Sequence, residues 1–315
     1  MKKIGDISSY VDDDAFAQEA LKGTQVLLKK DEQVTRDANI SKKVIAYSLF
    51  GAEPGYCEGT IINAQIFSSI YPAWEIWVFY DDSVPKHVIT RLHQLGVATW
   101  HVARLGIAHW PGTFWRFYAV CMAHVEYVIF RDVDSVLGQR EKGLVDVWLA
   151  SGKPFHVIRD WYSHQDLILA GLWGAYAPLL EKIDDWIEAY ITSQKLHPTH
   201  ADQEFLAASV WPRIKAFMLE HDSIHQGRNI VTFDPPTHIN TGQEALGGYR
   251  YKRLELDISQ AVNLLYALVL LDEKQQEIFR YEREFIQGKD SVQLPYEYTD
   301  KIDAGLWRLE ALPKN

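Results

Sequence analysis

Asp132 and Asp134 stand one residue apart in the run Glu126–Leu137, EYVIFRDVDSVL, and no other residues of this chain are better placed for chemistry. Val128, Ile129 and Phe130 are apolar β-formers and read as a buried strand. That strand breaks into Arg131-Asp132-Val133-Asp134-Ser135, and ligands sit at the C-terminal edge of an open α/β sheet. Two carboxylates at this spacing need a cation. An all-oxygen pair with open positions suits Mg²⁺ or Mn²⁺ carried with a diphosphate. An Asp-x-Asp in a surface turn is common; the buried strand running into it is what marks a site.

Other residues join this pair as candidates. Arg116, in FWRF, offers a planar fork for phosphate oxygens, or else is an arginine snorkelling from the edge of the core. Arg140-Glu141 and Arg159-Asp160 are adjacent opposite charges, read either as local ion pairs or as direct contacts. Arg159 and Asp160 end a predicted strand and so fall on the ligand edge. Gly171 and Gly174, in AGLWG, let a substrate approach the backbone or form a packing turn. In His200-Ala201-Asp202-Gln203, the polar side chains either cap a helix or line the reaction centre as base, nucleophile or stabiliser. His221-Asp222 ends another apolar strand. His221 is the candidate third metal ligand, with His238 and Asp222 competing.

The elements that must position these groups alternate. Val44–Phe50, Trp74–Tyr80, Val97–Val102, Phe155–Arg159 and Phe217–Glu220 read as strands. Thr60–Ser69, Ser83–Leu95, Trp115–Val125, Lys142–Ser151 and Leu179–Ser193 read as helices. This spacing predicts an α/β fold with a mostly parallel central sheet flanked by helices. Residues 1–40 read as a polar tail or docking helix, 41–250 as the catalytic domain, and 251–315 as a C-terminal helical extension packed on it.

Composition narrows the classes. A chain of 315 residues, 47% hydrophobic, can bury one large core. Its net charge of −10 argues against a general nucleic-acid binder. Its 11 Trp are read first as core, then as sugar-stacking platforms or interface. Two cysteines, Cys57 and Cys121, imply no disulfide framework and a reducing cytoplasm. The start lacks the apolar stretch of a signal peptide, and the longest apolar run, Ala261–Leu271, is too short to span a bilayer. The expectation is a soluble protein, with peripheral membrane association left open. P-loop, GxGxxG and GxSxG motifs and zinc-type Cys/His spacing are absent, which removes the main support for NTPase, dehydrogenase and hydrolase readings.

The order of these pieces resembles the nucleotide-diphospho-sugar transferases, glycosyltransferases of the GT-A fold with a DxD motif. The parallel pieces are YSLFGAEPGY, a helix carrying an arginine, the strand and its DxD, ILAGLWGAY and HADQEFL. More narrowly, RDVDSVLGQREKGLVDVWLASGKPFHVIRD with LAGLWG looks like a group of bacterial and viral proteins assigned as glycosyltransferases. The resemblance spans roughly residues 43 to 250. It implies a metal and donor diphosphate at Asp132 and Asp134, and a donor contact at Arg116. It further implies base and ribose at Ser48, Leu49, Phe50, Gly51 and Tyr56, and a donor-sugar pocket at Gly171 and Gly174. Asp202 and Gln203 would stand near the anomeric carbon, and a late histidine, best matched by His221, would complete the metal site. The function so implied is metal-dependent transfer of a sugar from a nucleoside diphosphate, UDP first, to a hydroxyl acceptor such as a glycan. The alternatives are a sugar-nucleotide phospho- or nucleotidyltransferase, or an inactive sugar-nucleotide-binding module.

Overall fold

The structure is a computed structural model. It describes residues 42–313 except 161–163, 165, 194–195, 197–199, 226–229, 234–245, 249, 257–263 and 286–289. The expected helix within residues 1–40 lies outside the described residues, as does His238.

The chain alternates as the sequence predicts. It runs β1 (Lys42–Leu49), α1 (Pro54–Ile70), β2 (Glu75–Tyr80), α2 (Lys86–Gln94), β3 (Ala98–His101), a 3-10 helix (Gly112–Cys121), β4 (Val125–Phe130) and α3 (Gln139–Ser151). It continues through β5 (Phe155–Arg159), β6 (Trp173–Tyr176), α4 (Ile183–Ser193), α5 (Ala201–Phe205), α6 (Trp211–Ile214), β7 (Met218–Asp222) and β8 (Ile230–Thr232). These strands form one sheet in the order β3-β2-β1-β4-β6-β5-β7-β8. All pairings are parallel except those of β6, which runs antiparallel between β4 and β5.

The central strand β1 is buried on both faces, as a parallel strand covered by helices must be. Its residues divide by the period of two. Val44 and Ala46 enter a core with Phe117, Phe130, Trp173 and Phe205, while Ile45 and Tyr47 enter a second with Ile61, Ile129 and Trp148. The expected helix Trp115–Val125 is instead the 3-10 helix Gly112–Cys121, which starts just after Pro111.

Beyond residue 250 the expectation of helices fails. The segment folds as β9 (Tyr251–Leu256), β10 (Leu264–Leu271), β11 (Glu277–Phe285), β12 (Asp290–Pro295), the short helix α7 (Tyr296–Asp303) and β13 (Arg308–Pro313). β10 lies between β11 and β13, and β12 pairs with β9, all antiparallel. Leu, Ala, Glu and Arg in LLYALVLL and EIFRYEREF favour helix locally. In β11, however, Phe279 and Tyr281 point inward while Arg280 and Glu282 are exposed, a strand period. Pairing on both sides and burial outweigh the intrinsic preference.

These strands and α7 cover α1 and share its core through Tyr266, Leu268, Leu270, Tyr281, Val292 and Tyr298. Their fastening point is Glu58 of α1, whose side chain is fully buried. Its carboxylate accepts two hydrogen bonds from Arg91 at 2.7 and 2.9 Å, the Tyr281 hydroxyl at 2.7 Å and the Tyr298 hydroxyl at 2.9 Å. No helix among the described residues is long and apolar enough to cross a membrane.

Candidate active site

β4 delivers the Asp-x-Asp segment to the C-terminal edge of the parallel sheet. The Arg131 N–H extends the ladder to the Ala46 carbonyl at 3.1 Å, after which the chain turns, and Ser135 N–H closes on the Asp132 carbonyl at 3.2 Å. Arg131 itself is buried: its Nε donates to Glu141 at 2.7 Å, and Tyr71 donates to the same oxygen at 3.0 Å. Asp132 and Asp134 remain half-buried at the floor of a cleft of 530 Å³. Ser48, Phe50 and Tyr56 form one side of this cleft, Thr113 and Arg116 another, and Asp202 with Gln203 a third.

Arg116 ties these walls together. Its main-chain N–H donates to Ser48 Oγ at 2.9 Å, Nη1 binds the Asp132 carboxylate and the Arg131 carbonyl (3.0 Å), and Nη2 binds Asp202 Oδ2 at 2.8 Å. Burial would lower its pKa, but Asp132 and Asp202 outweigh this and hold the guanidinium charged. Arg116 Nε has no hydrogen-bond partner among the described residues. Asp202 does not cap its helix: its Oδ1 accepts the Gln203 N–H at 3.0 Å, and the capping position belongs to His200. Burial raises the Asp202 pKa, with Arg116 opposing. Gln203 reaches out from Nε2 to Asp166 at 3.0 Å.

The cleft has a charge deficit. Asp132, Asp134 and Asp202 face one guanidinium. Burial and then the Asp132 charge lift the Asp134 carboxyl to about 7, with Arg116 offsetting part of this. A divalent cation would reverse that shift, and two hard carboxylates fit Mg²⁺ or Mn²⁺. Among the described residues no third His, Cys, Asp or Glu converges with them, so remaining positions would fall to water and ligand oxygens.

A smaller cavity of 150 Å³ adjoins the cleft through Asp132, Gln203 and Gly247, and is lined further by His164, Asp166 and Gly171. The Asp132 carboxylate lies where a side chain on Gly171 would begin. Gly171→Ala is therefore expected to push Asp132 aside, weakening Mn²⁺ binding about as much as Asp132→Asn. Combining the two changes should add little. Mn²⁺ titration of the single and double variants checks this; fully additive losses would contradict it.

Several predicted residues sit elsewhere. Leu49 is buried in the core beneath the cleft. Gly51 makes the turn after β1 at φ +76, its N–H on Ser83 Oγ at 2.6 Å, and is not among the cleft-lining residues. Gly174 lies within the sheet against Trp148 and Ile129, so its missing side chain serves packing. The adjacent charge pairs exchange partners. Arg140 binds Asp160 (2.7 Å), which also accepts the Leu246 N–H (2.8 Å), Glu141 binds Arg131, and Arg159 binds Glu220 at 2.7 Å. Thr113, His164 and Asp166 line the cavities without having been singled out; only the polar Trp161–Asp166 loop hinted at the last two.

His221 is fully buried and its Nδ1 lies 2.6 Å from His156 Nε2, away from the carboxylates of the cleft. Asp222 accepts the main-chain N–H groups of Ile224 and His225, at 2.8 and 2.7 Å. Burial lowers the His221 pKa from 6.5 to about 4. The unfolded chain then binds the extra proton between those values. The stability associated with a neutral His221 is complete above pH ~6.5 and lost as pH falls towards ~4, by about 3 kcal/mol. Relative to His221→Asn, the wild type should lose that much unfolding free energy across this window in urea titrations. Comparing the two separates this group from carboxylates titrating nearby. A constant difference would refute it.

No family model matches the chain, and no curated protein sequence is similar to it. Similar solved structures include a glycosyltransferase involved in glycosylation of the major capsid of PBCV-1 (15% identity, 58% of this chain and 82% of that one, TM-score 0.36). Glucosyl-3-phosphoglycerate synthase from Mycobacterium tuberculosis, with Mn²⁺, UDP-glucose and glycerol 3-phosphate, is 16% identical over 61% of this chain and 74% of its own, at TM-score 0.40. The mannosyltransferase PcManGT from Pyrobaculum calidifontis, with GDP-mannose and Mn²⁺, is 13% identical over 54% and 56%, at TM-score 0.35. What the cleft can do is set by its own residues.

Proposed function

We propose that this chain is a divalent-metal-dependent glycosyltransferase that moves a sugar from a nucleoside diphosphate, UDP first, to a hydroxyl acceptor such as a glycan. One observation carries the reading: a single buried guanidinium, Arg116, joins the Asp132 carboxylate to Asp202 across one cleft. Asp132 and Asp134 would hold Mn²⁺ or Mg²⁺, which when bound supplies charge neutralisation of the leaving diphosphate. Arg116 contributes a second, permanent positive charge beside it. Ser48, Phe50 and Tyr56 line the cleft where the base and ribose would lie.

Asp202 is held through both oxygens, by Arg116 and by the Gln203 N–H, which fixes its carboxylate in the cleft. It suits electrostatic stabilisation of positive charge developing on the sugar, with the acceptor proton passing to the departing diphosphate. This favours retention of the anomeric configuration. The test is thermal unfolding with UDP-, GDP-, CDP- and ADP-sugars, with and without Mn²⁺. One base class should raise the midpoint only with Mn²⁺, by about 2.7 kcal/mol of stability at a hundredfold excess over Kd. Stabilisation indifferent to EDTA, or by no nucleotide sugar, would overturn the reading. Release of sugar phosphate in place of nucleoside diphosphate would assign nucleotidyl transfer instead.

A further inference from the structure

The Asp132–Leu137 turn presents its carboxylates to the cleft, while its main chain is gripped from behind by α1. Asn63 of that helix is fully buried. Its Nδ2 donates to the Ser135 carbonyl at 2.7 Å and the Gly59 carbonyl at 3.1 Å, and its Oδ1 accepts the Leu137 N–H at 2.9 Å. Four residues earlier on the same face, Gly59 lies so close that the Val133 carbonyl fills the space a side chain would need. From the opposite direction Arg250 N–H donates to the Asp134 carbonyl at 2.7 Å, and within the turn Ser135 Oγ donates to the Asp132 carbonyl at 2.9 Å. The carbonyls of Asp132, Asp134 and Ser135 thus each accept a hydrogen bond and that of Val133 abuts Gly59, while the two aspartate side chains face the cleft.

We propose that Asn63, with the close approach allowed at Gly59, is a positioning residue that sets the turn so that Asp132 and Asp134 reach one divalent cation. The proposal rests on the metal-dependent reading above. Carboxylates on a main chain free to rock by a fraction of an ångström would bind a cation with the entropy of that motion still to lose. Outer-shell groups that fix ligands in this way are typically worth about 10–100-fold in metal affinity.

The experiment is titration of Mn²⁺ alone into donor-free protein, followed by the EPR signal of the free ion, for wild type, Asn63→Ala, Gly59→Ala and Ile61→Val. Ile61→Val loosens α1 from its core while leaving the turn's hydrogen bonds in place, and controls for destabilisation. Asn63→Ala should bind Mn²⁺ on the order of 10–100-fold more weakly. Turnover should be restored by excess Mn²⁺, an apparent-affinity defect with kcat preserved, and Ile61→Val should bind as the wild type does. If Asn63→Ala does not fold, Gly59→Ala, which displaces the same turn, must show the weakened binding. Wild-type Mn²⁺ affinity in the variants, or an equal loss in Ile61→Val, overturns the role of Asn63 and leaves the metal-dependent reading standing. A wild type that takes up no Mn²⁺ overturns both.

Discussion

Asp134→Asn is expected to abolish Mn²⁺-dependent transfer while leaving thermal stability unchanged or slightly raised. Both halves follow from the environment of this carboxyl. Burial and the adjacent Asp132 charge raise its pKa from 3.8 to about 7, so in the metal-free protein its ionised form is a burden on the folded state at neutral pH. The amide keeps the shape and removes the charge. Turnover, however, loses one of two carboxylates that would hold the cation, and a loss of about 4 kcal/mol in transition-state stabilisation is roughly a thousandfold in rate. Thermal unfolding and initial rates across Mn²⁺ concentrations check the two halves separately. Full activity in the variant, or in excess EDTA, would remove the metal from the mechanism. A large fall in midpoint would show that Asp134 is structural.

The largest effect on stability is expected at Glu58→Ala, on the face of α1 turned to β11 and α7. Glu58 is fully buried and its carboxylate satisfies Arg91, Tyr281 and Tyr298 at once. Truncation leaves the half-buried Arg91 guanidinium without its counter-ion and two hydroxyls without acceptors. Breaking one partner of a buried pair typically costs about 3–5 kcal/mol. Because Glu58 is the point at which α1 and α2 are fastened to β11 and α7, hydrogen exchange should quicken first in β10 and β11, before the eight-stranded sheet. A urea midpoint within experimental error of the wild type would refute the role. Glu58→Gln, which keeps an acceptor but not the charge, should fall between the two.

The residues that could do chemistry were legible where the signal is local. A β-rich apolar run ending in Asp-x-Asp has few meanings, because the strand fixes where the aspartates emerge and their charge fixes what they need. Arg116, Asp202 and Gln203 were grouped around one donor by the resemblance, but not by their spacing: Arg116 and Asp202 are 86 residues apart, and the packing of the 3-10 helix against α5 joins them. The role of Asn63 carried no signal, since a polar residue in a helix looks the same whether it faces water or the back of a turn.

Sequence adjacency misled where successive side chains point to different faces of a strand or helix. Arg159 and Asp160, like Arg140 and Glu141, cannot satisfy each other as neighbours whose side chains diverge, and so each finds a partner on another segment. His221 follows the same rule: it ends a strand at the ligand edge, yet alternation turns its ring onto His156. The segment after residue 250 shows the limit of local preference. Its leucines, glutamates and arginines favour helix, and strand pairing on two sides of β10, together with burial of alternate residues of β11 against α1, decides otherwise. By itself the sequence determined the alternating α/β plan and the acidic pair at its centre, because both depend on periods of a few residues. The tertiary structure decided the partners, since hydrogen bonds and ion pairs form between surfaces that only the folded sheet brings within 3 Å.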